Sequence, residues 1–257
     1  MTQTLILAAR PEQMTAAGSW GLPLAHLAYR VGGGPHLFRV NSPAVPRGGL
    51  MVMDAHRFDG AGESVPFCHE VLRECAARKF TGVVCRFGGK PQPVLGEICR
   101  RLGDLCAGRG LSCYVSEAYG AAAPAARVII PTALSGGSLH SRLEEAQGRF
   151  GRDRVAVWAD RAAEDFLLPS PSGAGAPLTA EELSRRKEEQ GASVFFSDEL
   201  CAHYFTYMAG EKAHFVLFDD AGSIRKKLRI ARNLGVAEAF LPYETTADLL
   251  KELLERP

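Results

Sequence analysis

Acidic, imidazole, guanidinium and aromatic side chains follow several strand-like runs of this sequence, and these residue types could carry chemistry. Two carboxylates at a defined separation can act as acid and base on a glycosidic bond. Aromatic rings can stack on the apolar face of a sugar, and an arginine can hold an acidic or polar group. The candidates for a ligand site are Asp54, His56, Arg86, Glu117, Tyr119, Trp158, Asp160, Tyr243 and Glu244.

The run Asp54-Ala55-His56 has the residue types of a metal site. A convincing site needs at least three named ligands, and no second cluster completes this one. A solvated loop at the end of a strand is the favoured interpretation. We therefore predict no metal and no cofactor.

Short apolar runs alternate with helical patterns along most of the chain, which predicts βα units and a parallel sheet. Eight such runs in 257 residues favour an α/β fold, a (β/α)8 TIM barrel that forms one domain over residues 1–257. In such a barrel, the side chains at the carboxyl ends of the strands surround the ligand mouth. The predicted strands are Thr4–Ala8, Ala25–Val31, Leu50–Ala55, Gly82–Phe87, Leu111–Glu117, Arg127–Thr132, Arg154–Ala159 and Ala237–Leu241.

Residues 162–220 are too many for one connection, so we predict a small α+β insertion between the seventh strand and its helix. Thr179 and Glu182 have the spacing of a capping box before a charged helix. Three short strands are predicted after that helix, at Val194–Phe196, Tyr204–Tyr207 and His214–Phe218.

The composition excludes several classes of function. A net charge of +1 gives no electrostatic reason to expect nucleic acid or an anionic membrane surface as a partner. No apolar run approaches the ~20 residues needed to span a bilayer, and the first residues lack the basic and apolar regions of a signal peptide. The seven cysteines lack CxxC spacing and mostly lie on apolar faces, which predicts buried, reduced thiols and a cytoplasmic location.

One predicted strand carries a resemblance to a known family. The run Phe80-Thr81-Gly82-Val83-Val84-Cys85-Arg86-Phe87-Gly88 resembles the fourth barrel strand of family 18 glycoside hydrolases, the chitinases and spore-cortex N-acetylglucosaminidases. The family pattern is Phe-Asp-Gly-x-Asp-x-Asp-x-Glu, and its last residue is the general acid. On this pattern the three aspartates fall on Thr81, Val84 and Arg86, and the acid falls on Gly88.

The segment after Leu178 strengthens this resemblance, because it looks like the insertion and penultimate loop of the spore-germination branch. That branch reads roughly Tyr…Gly…His-x-Val-Trp-Phe-Glu-Asp-x-x-Ser-x-x-x-Lys. Here Leu217 stands at the family's tryptophan and Asp219 at its glutamate. The matching residues are Tyr207, Gly210, His214, Val216, Phe218, Asp220, Ser223 and Lys227.

The resemblance implies the family's fold without its catalysis. Gly88 supplies no proton for the substrate-assisted mechanism of the family, and Val84 and Arg86 cannot orient one. On the sixth strand the family has Met-Thr-Tyr-Asp, whereas this chain has Pro131-Thr132-Ala133-Leu134. We therefore predict a catalytically degenerate member with no catalytic residue at the family positions.

Arg86 has two interpretations. The family match places it in the barrel mouth, where it could hold a carboxylate, a phosphate or a polar sugar group. Alternatively, it pairs with the acids at neighbouring strand ends in an internal salt-bridge network. A large loss of stability in Arg86→Ala without a change in binding would favour the network.

Three functions stay open. The leading hypothesis is a non-catalytic binder of a carbohydrate, of the N-acetylglucosamine type that the resemblance implies, or of a small anionic ligand, with a link to sporulation. The second is a protein-interaction scaffold that uses the insertion from Ser193 to Asp220, for which an exposed apolar patch is the test. The third is an active glycosidase with relocated carboxylates, such as Glu117 with Asp160 or Glu244.

Overall fold

A computed structural model describes residues 3–40, 46–170 and 173–255. The sequence also predicts loops at Asn41–Gly49 and Pro169–Pro177, and residues 41–45 and 171–172 of these lie outside the described residues. The described strands are β1 (Thr4–Ala9), β2 (Leu24–Gly32), β3 (His36–Arg39), β4 (Leu50–Asp54), β5 (Gly82–Cys85), β6 (Ser112–Ser116), β7 (Arg127–Pro131), β8 (Val155–Trp158), β9 (Ala163–Leu168), β10 (Ala176–Pro177), β11 (Phe195–Ser197), β12 (Ala202–Ala209), β13 (Lys212–Phe218) and β14 (Glu238–Pro242).

The described α-helices vary from one turn to four. They are α1 (Met14–Gly18), α2 (Ser64–Arg78), α3 (Pro93–Ala107), α4 (Leu139–Phe150), α5 (Ala180–Glu189), α6 (Ala221–Asn233), α7 (Tyr243–Thr246) and α8 (Leu250–Leu254). Short 3₁₀ turns lie at Pro11–Gln13, Glu117–Tyr119, Arg152–Arg154 and Ala247–Leu249. The longest described helices, α2 and α3, have 15 residues each, and none of the described helices has the length and apolar character of a membrane span.

The chain divides into two compact units. The first contains Met1–Ile130, Ala146–Trp158 and Gly235–Glu244, and the second contains Pro131–Glu145, Ala159–Leu234 and Thr245–Pro257. The single domain expected over residues 1–257 stays a prediction.

Eight parallel strands form a closed barrel. Their order is β1-β14-β8-β7-β6-β5-β4-β2, and β2 also pairs with β1, which closes the ring. The ninth strand of this sheet, β3, pairs antiparallel with β2 and lies outside the ring. The (β/α)8 TIM barrel is therefore confirmed, and each of its eight strands begins and ends within two residues of the predicted bounds.

The barrel strands are apolar on both faces because both faces are buried. On β5, Val84 faces the lumen, whereas Cys85 points outward to Cys99 of α3. This alternation is what the strand geometry requires. The lumen cluster consists of Ile6, Ala8, Ala25, Leu50, Val52, Val84, Tyr114, Ile129, Ala156, Trp158 and Phe240.

A layer of sulfur atoms lies on the outer side of β5 and β6, against α2 and α3. We call it the thiol layer; its members are Cys68, Cys75, Cys85, Cys99, Cys106 and Cys113. Burial raises the pKa of Cys68 and that of Cys75 to about 12. The seventh cysteine, Cys201, is buried in the second unit. The prediction of buried thiols is confirmed.

The second unit contains a five-stranded antiparallel sheet in the order β10-β9-β13-β12-β11. It occupies the segment where the insertion of residues 162–220 is predicted, and β11, β12 and β13 are the three predicted strands. Helix α5 begins at the predicted capping box. The Thr179 Oγ1 accepts a hydrogen bond from the Glu182 N–H at 3.1 Å, and the Glu182 carboxylate accepts one from the Thr179 N–H at 2.9 Å.

Helix α6 begins with two acids that have different roles. Asp220 accepts a hydrogen bond from the Ser223 N–H at 2.8 Å and caps the helix. Asp219 accepts a hydrogen bond from the Lys227 ammonium at 2.6 Å, and the two side chains are 0% and 1% exposed. The Ser223 hydroxyl and the Ala162 N–H also donate to the Asp219 carboxylate, at 2.7 and 2.8 Å. This buried pair is therefore well hydrogen-bonded, as a buried charge requires.

Candidate functional site

Arg86 comes directly after β5, at the carboxyl end of the barrel strands. Its N–H donates to the Met53 carbonyl at 2.9 Å, which extends the β4–β5 ladder by one residue. The guanidinium carbon lies 4.6 Å from the centroid of the Trp158 ring, in a cation–π contact. Trp158 is the last residue of β8 and belongs to the lumen cluster, so Arg86 covers the carboxyl end of the lumen.

Below Arg86, the rings of Trp158, Phe240 and Tyr114 form an aromatic column. Trp158 and Phe240 are stacked, with centroids 5.3 Å apart and 17° between their planes. Phe240 and Tyr114 meet edge to face at 5.2 Å. At the far end, the Arg127 guanidinium lies 5.6 Å from the Tyr114 ring. The three rings are 0–2% exposed, so the column is a packed core with an arginine at each end. This burial corrects the assignment of Trp158 to a sugar-stacking surface.

The Tyr114 hydroxyl lies at the amino end of the barrel strands. It accepts a hydrogen bond from Arg127 at 3.4 Å, and Arg127 lies 3.5 Å from the Glu238 carboxylate. Burial, followed by the negative charge of Glu238, raises the pKa of Tyr114 to about 12. The hydroxyl therefore stays protonated at neutral pH, where its role is packing.

The predicted acids of the first unit do not gather around Arg86. Glu244 pairs with Arg10 at 2.9 Å, and Glu117 lies 3.9 Å from Arg149. Among the described residues of the first unit, no carboxylate forms an ion pair with Arg86. The alternative of an internal salt-bridge network through Arg86 is therefore wrong for this unit. The physical reason is that the Arg86 side chain is exposed, so water solvates its charge.

Asp54 and His56 are exposed in the loop after β4. The Asp54 carboxylate accepts a hydrogen bond from the His56 N–H at 2.9 Å, which closes a turn within the loop. In the described part of the chain, no group of three or more His, Cys, Asp or Glu side chains could hold a metal ion. Asp160 belongs to the second unit and is half-buried.

Tyr119 is a core residue, which corrects its assignment to a sugar-stacking surface. Its ring is 2% exposed and meets the Phe87 ring edge to face at 5.9 Å. Its hydroxyl accepts a hydrogen bond from the Gln92 N–H at 3.2 Å, and burial raises its pKa. The 3₁₀ turn that follows β6 directs the side chain inward. Tyr243, by contrast, begins α7 and is half-buried.

The positions that match the family acids have very different surroundings. Val84 is 0% exposed in the lumen. Thr81 precedes β5, at the opposite end of the strand, where its hydroxyl donates to the Gly49 carbonyl at 3.0 Å. Gly88 is exposed, and a Cβ placed on it would meet no atom within 4 Å. Position 88 therefore has room for a side chain and carries none.

Solved structures with this fold include chitinases and a spore cortex-lytic enzyme. A Group IV chitinase from Ostrinia furnacalis is similar with a TM-score of 0.71 at 10% identity, over 99% of this chain and 96% of that one. A chitinase from Chromobacterium violaceum gives 0.69 at 15% identity, over 98% and 100%. The spore cortex-lytic enzyme SleL from Bacillus megaterium gives 0.65 at 14% identity, over 93% and 70%. No family model and no curated protein matches the sequence.

At identities of 10–15%, these similarities show that the fold is shared. They do not show that any residue has the same role. The resemblance to the family 18 barrels is thereby confirmed for the fold. The loss of catalysis and the nature of the ligand stay predictions.

Sequence reasoning missed Phe240, Tyr114 and Arg127, which complete the column beneath Trp158. A signal for Tyr114 was available, because it stands next to Cys113, whose side chain lies on the outer side of β6 against Cys106 of α3. Strict alternation assigns the middle residue of such a strand to the lumen.

Proposed function

We propose that the protein is a non-hydrolysing, carbohydrate-binding barrel whose ligand is an N-acetylglucosamine-type sugar that carries an acidic group. The observation that carries this proposal is the contact of Arg86 with Trp158 beside Gly88. A cation and a bare glycine stand where the family 18 pattern has an aspartate and the general acid.

Arg86 offers a charge that the described residues of the first unit do not neutralise. The Arg86 guanidinium lies over the Trp158 ring, and no carboxylate among the described residues of the first unit forms an ion pair with it, so its N–H groups can donate to a ligand. A planar fork of donors matches the two oxygens of a carboxylate, and it can also meet a carbonyl oxygen. This geometry favours a ligand with a carboxylate and acetamido oxygens.

The acids of the mouth support the absence of hydrolysis. Cleavage of a glycosidic bond needs a proton donor beside the leaving oxygen and a second group in defined geometry. Gly88 provides no donor. Glu117 lies 3.9 Å from Arg149, and Glu244 lies 2.9 Å from Arg10, so each of these two acids has an arginine beside it. This arrangement opposes the relocated acid pair.

Isothermal titration calorimetry with N-acetylmuramic acid, N-acetylglucosamine and chitotetraose tests the proposal. We expect N-acetylmuramic acid, which carries a carboxylate, to bind more tightly than N-acetylglucosamine. Arg86→Ala should weaken its binding at least tenfold, since a charge-assisted bidentate contact is lost. Arg152→Ala removes an exposed arginine from the 3₁₀ turn before β8 and should leave the binding unchanged.

Two results would contradict the proposal. One is binding of N-acetylmuramic acid that is equally strong in the wild type and in Arg86→Ala. The other is release of shorter sugars from chitotetraose by the wild-type protein, which chromatography of the reaction mixture would detect.

Exposed apolar side chains of the second unit favour one other function, a protein-interaction scaffold. Six large apolar residues there are 37–60% exposed, and β11 at the edge of the sheet carries two of them. An edge strand with exposed apolar residues is a site for pairing with another chain. A partner that copurifies with the tagged wild-type protein, and is lost with Phe195→Lys, would favour this function. The six residues are Leu167, Leu168, Val194, Phe195, Phe196 and Met208.

A further inference from the structure

The second unit contains a pocket of about 350 Å³ on one face of its antiparallel sheet. Small-molecule sites have volumes of ~300–1,000 Å³, so this pocket can hold a ligand of modest size. Its floor is apolar and consists of Ala162, Phe166 and Leu217, while residues 133–135 and 173–175 form its walls. The floor residues are 2–5% exposed.

Glu164 places a carboxylate beside this apolar floor. It lies on β9 opposite Leu217 of β13 and is half-buried. The wall segment passes close above it, because a Cβ at Gly175 would come 2.9 Å from the Glu164 Cβ and 3.1 Å from the Phe166 ring. This approach is open to glycine alone, and it narrows the pocket around the carboxylate.

The Glu164 carboxylate has no counter-charge among the described residues: none of them donates a hydrogen bond or forms an ion pair with it. A charge that is partly removed from water is costly unless it is paired or hydrogen-bonded. A ligand with a cationic group would supply that partner. The neighbouring Phe166 ring would add to the attraction, since aromatic rings also attract cations.

A row of aromatic rings extends from the pocket along the same face of the sheet. The centroids of Phe166 and Phe215 are 6.1 Å apart, and Phe215 stacks on Tyr204 at 5.3 Å. Tyr204 lies 5.6 Å from Phe195, which is 55% exposed at the edge of the sheet. Such a row offers apolar surfaces on which sugar rings can stack.

We propose that this pocket binds a hexosamine, a sugar that carries a free ammonium group. The ammonium pairs with the Glu164 carboxylate, and the apolar face of the sugar ring lies on Phe166 and Leu217. Further sugar units of a longer ligand run along the aromatic row toward Phe195. This inference rests on the proposed function in one respect, that the ligand is a carbohydrate.

The inference is tested by NMR titration of the protein with glucosamine, N-acetylglucosamine and cyclohexylamine. The titrations are done at a slightly acidic pH, where the two amines are protonated. Amide signals of Ser135, Gly173 and Gly175 report on the pocket. We expect glucosamine to shift these signals and to bind more tightly than the other two compounds. Glu164→Gln should weaken glucosamine binding about tenfold or more, because it removes a charge-assisted contact. Circular dichroism confirms that each variant is folded.

Glu211→Gln is the matched control, since it removes the same charge from the exposed turn between β12 and β13 of the same sheet. It should leave glucosamine binding unchanged. Arg86→Ala should also leave it unchanged, because this site does not include Arg86.

Three outcomes would overturn the inference. The first is glucosamine binding that is unaffected by Glu164→Gln, or none at all. The second is equally tight binding of cyclohexylamine, which would mean that the pocket selects the amine without the sugar. The third is loss of glucosamine binding in Arg86→Ala. If glucosamine fails while N-acetylmuramic acid binds in an Arg86-dependent manner, the inference falls and the proposed function stands.

Discussion

The Arg86 guanidinium lies 4.6 Å from the centre of the Trp158 ring, at the carboxyl end of a lumen filled by aromatic rings. A cation above an indole ring contributes about 0.5–1 kcal/mol at an exposed site. A member of a buried salt-bridge network costs several times more to remove, because its partner is left unpaired. The contact therefore makes Arg86 a minor element of the stability of the fold and an available donor for a ligand.

Arg86→Ala is expected to lower the free energy of unfolding by about 0.5–1 kcal/mol, the size of the lost cation–π contact. Urea denaturation measures this change, with Arg152→Ala as a control that should cost almost nothing. A loss above about 3 kcal/mol would show that Arg86 holds buried acids together after all.

Gly88→Glu is expected to change the free energy of unfolding by less than about 0.5 kcal/mol, because the new side chain enters open space. The adjacent Gly89→Glu should cost about 1–2 kcal/mol, since Gly89 has a φ of +77° in the left-handed region. Thermal unfolding followed by circular dichroism compares the two. Gly88→Glu alone should leave chitotetraose intact, because Val84 and Arg86 cannot orient the new carboxyl group. Cleavage would contradict the proposed absence of hydrolysis.

Lys227→Met is expected to lower the free energy of unfolding by about 3–5 kcal/mol, because it leaves the buried Asp219 carboxylate without its cation. The adjacent Lys226→Met breaks an ion pair with Asp198, which is 87% exposed, and should cost less than about 1 kcal/mol. Chemical denaturation of both variants checks the contrast. Equal losses would mean that the Asp219–Lys227 pair is not the buried pair described.

The stability of the protein should depend on pH through His26. This ring lies against Phe80 at 5.1 Å, and burial lowers the pKa of His26 from 6.5 to about 4, although the Gly48 backbone offsets part of the effect. Between these two values the unfolded state binds more protons than the folded state. The contribution of neutral His26 to the free energy of unfolding is therefore fully present above pH 6.5. It falls as the pH drops toward 4, by up to about 3 kcal/mol.

His26→Phe should remove much of this pH dependence, because phenylalanine takes up no proton. His69→Phe, at an exposed position of α2, should keep it. Urea denaturation at several pH values measures the slope. An unchanged slope in His26→Phe would assign the dependence to another group.

The eight barrel strands could be predicted because each is a short apolar run bounded by turn residues. Strand β9 could not, because it contains Asp165 in its centre. The Asp165 side chain is 5% exposed and is neutralised by Arg186, while the Tyr207 hydroxyl and the His214 Nδ1 each lie 2.9 Å from its oxygens. These partners come from 21–49 residues later in the chain. From the local sequence alone, a buried aspartate with distant partners cannot be distinguished from an aspartate in a loop.

The candidate site shows the same limit. The sequence predicts where the strands end, and this prediction correctly placed Arg86 and Trp158 at the carboxyl end of the barrel strands. The direction of a side chain after a strand depends on the conformation of the next turn, which the sequence pattern does not reveal. The burial of Tyr119 was therefore not predicted. Whether charges meet across a mouth depends on distances that no spacing encodes, as Glu117 and Glu244 show with their separate arginines.

The buried sulfur atoms of the thiol layer can report on local opening of the barrel wall. An alkylating reagent reaches these sulfurs when β5, β6, α2 and α3 separate, so the labelling rate measures the opening free energy of that quarter of the wall. Cys201 reports in the same experiment on the second unit. Oxidants face the same barrier, so we expect oxidation of these sulfurs to require the same local opening of the wall.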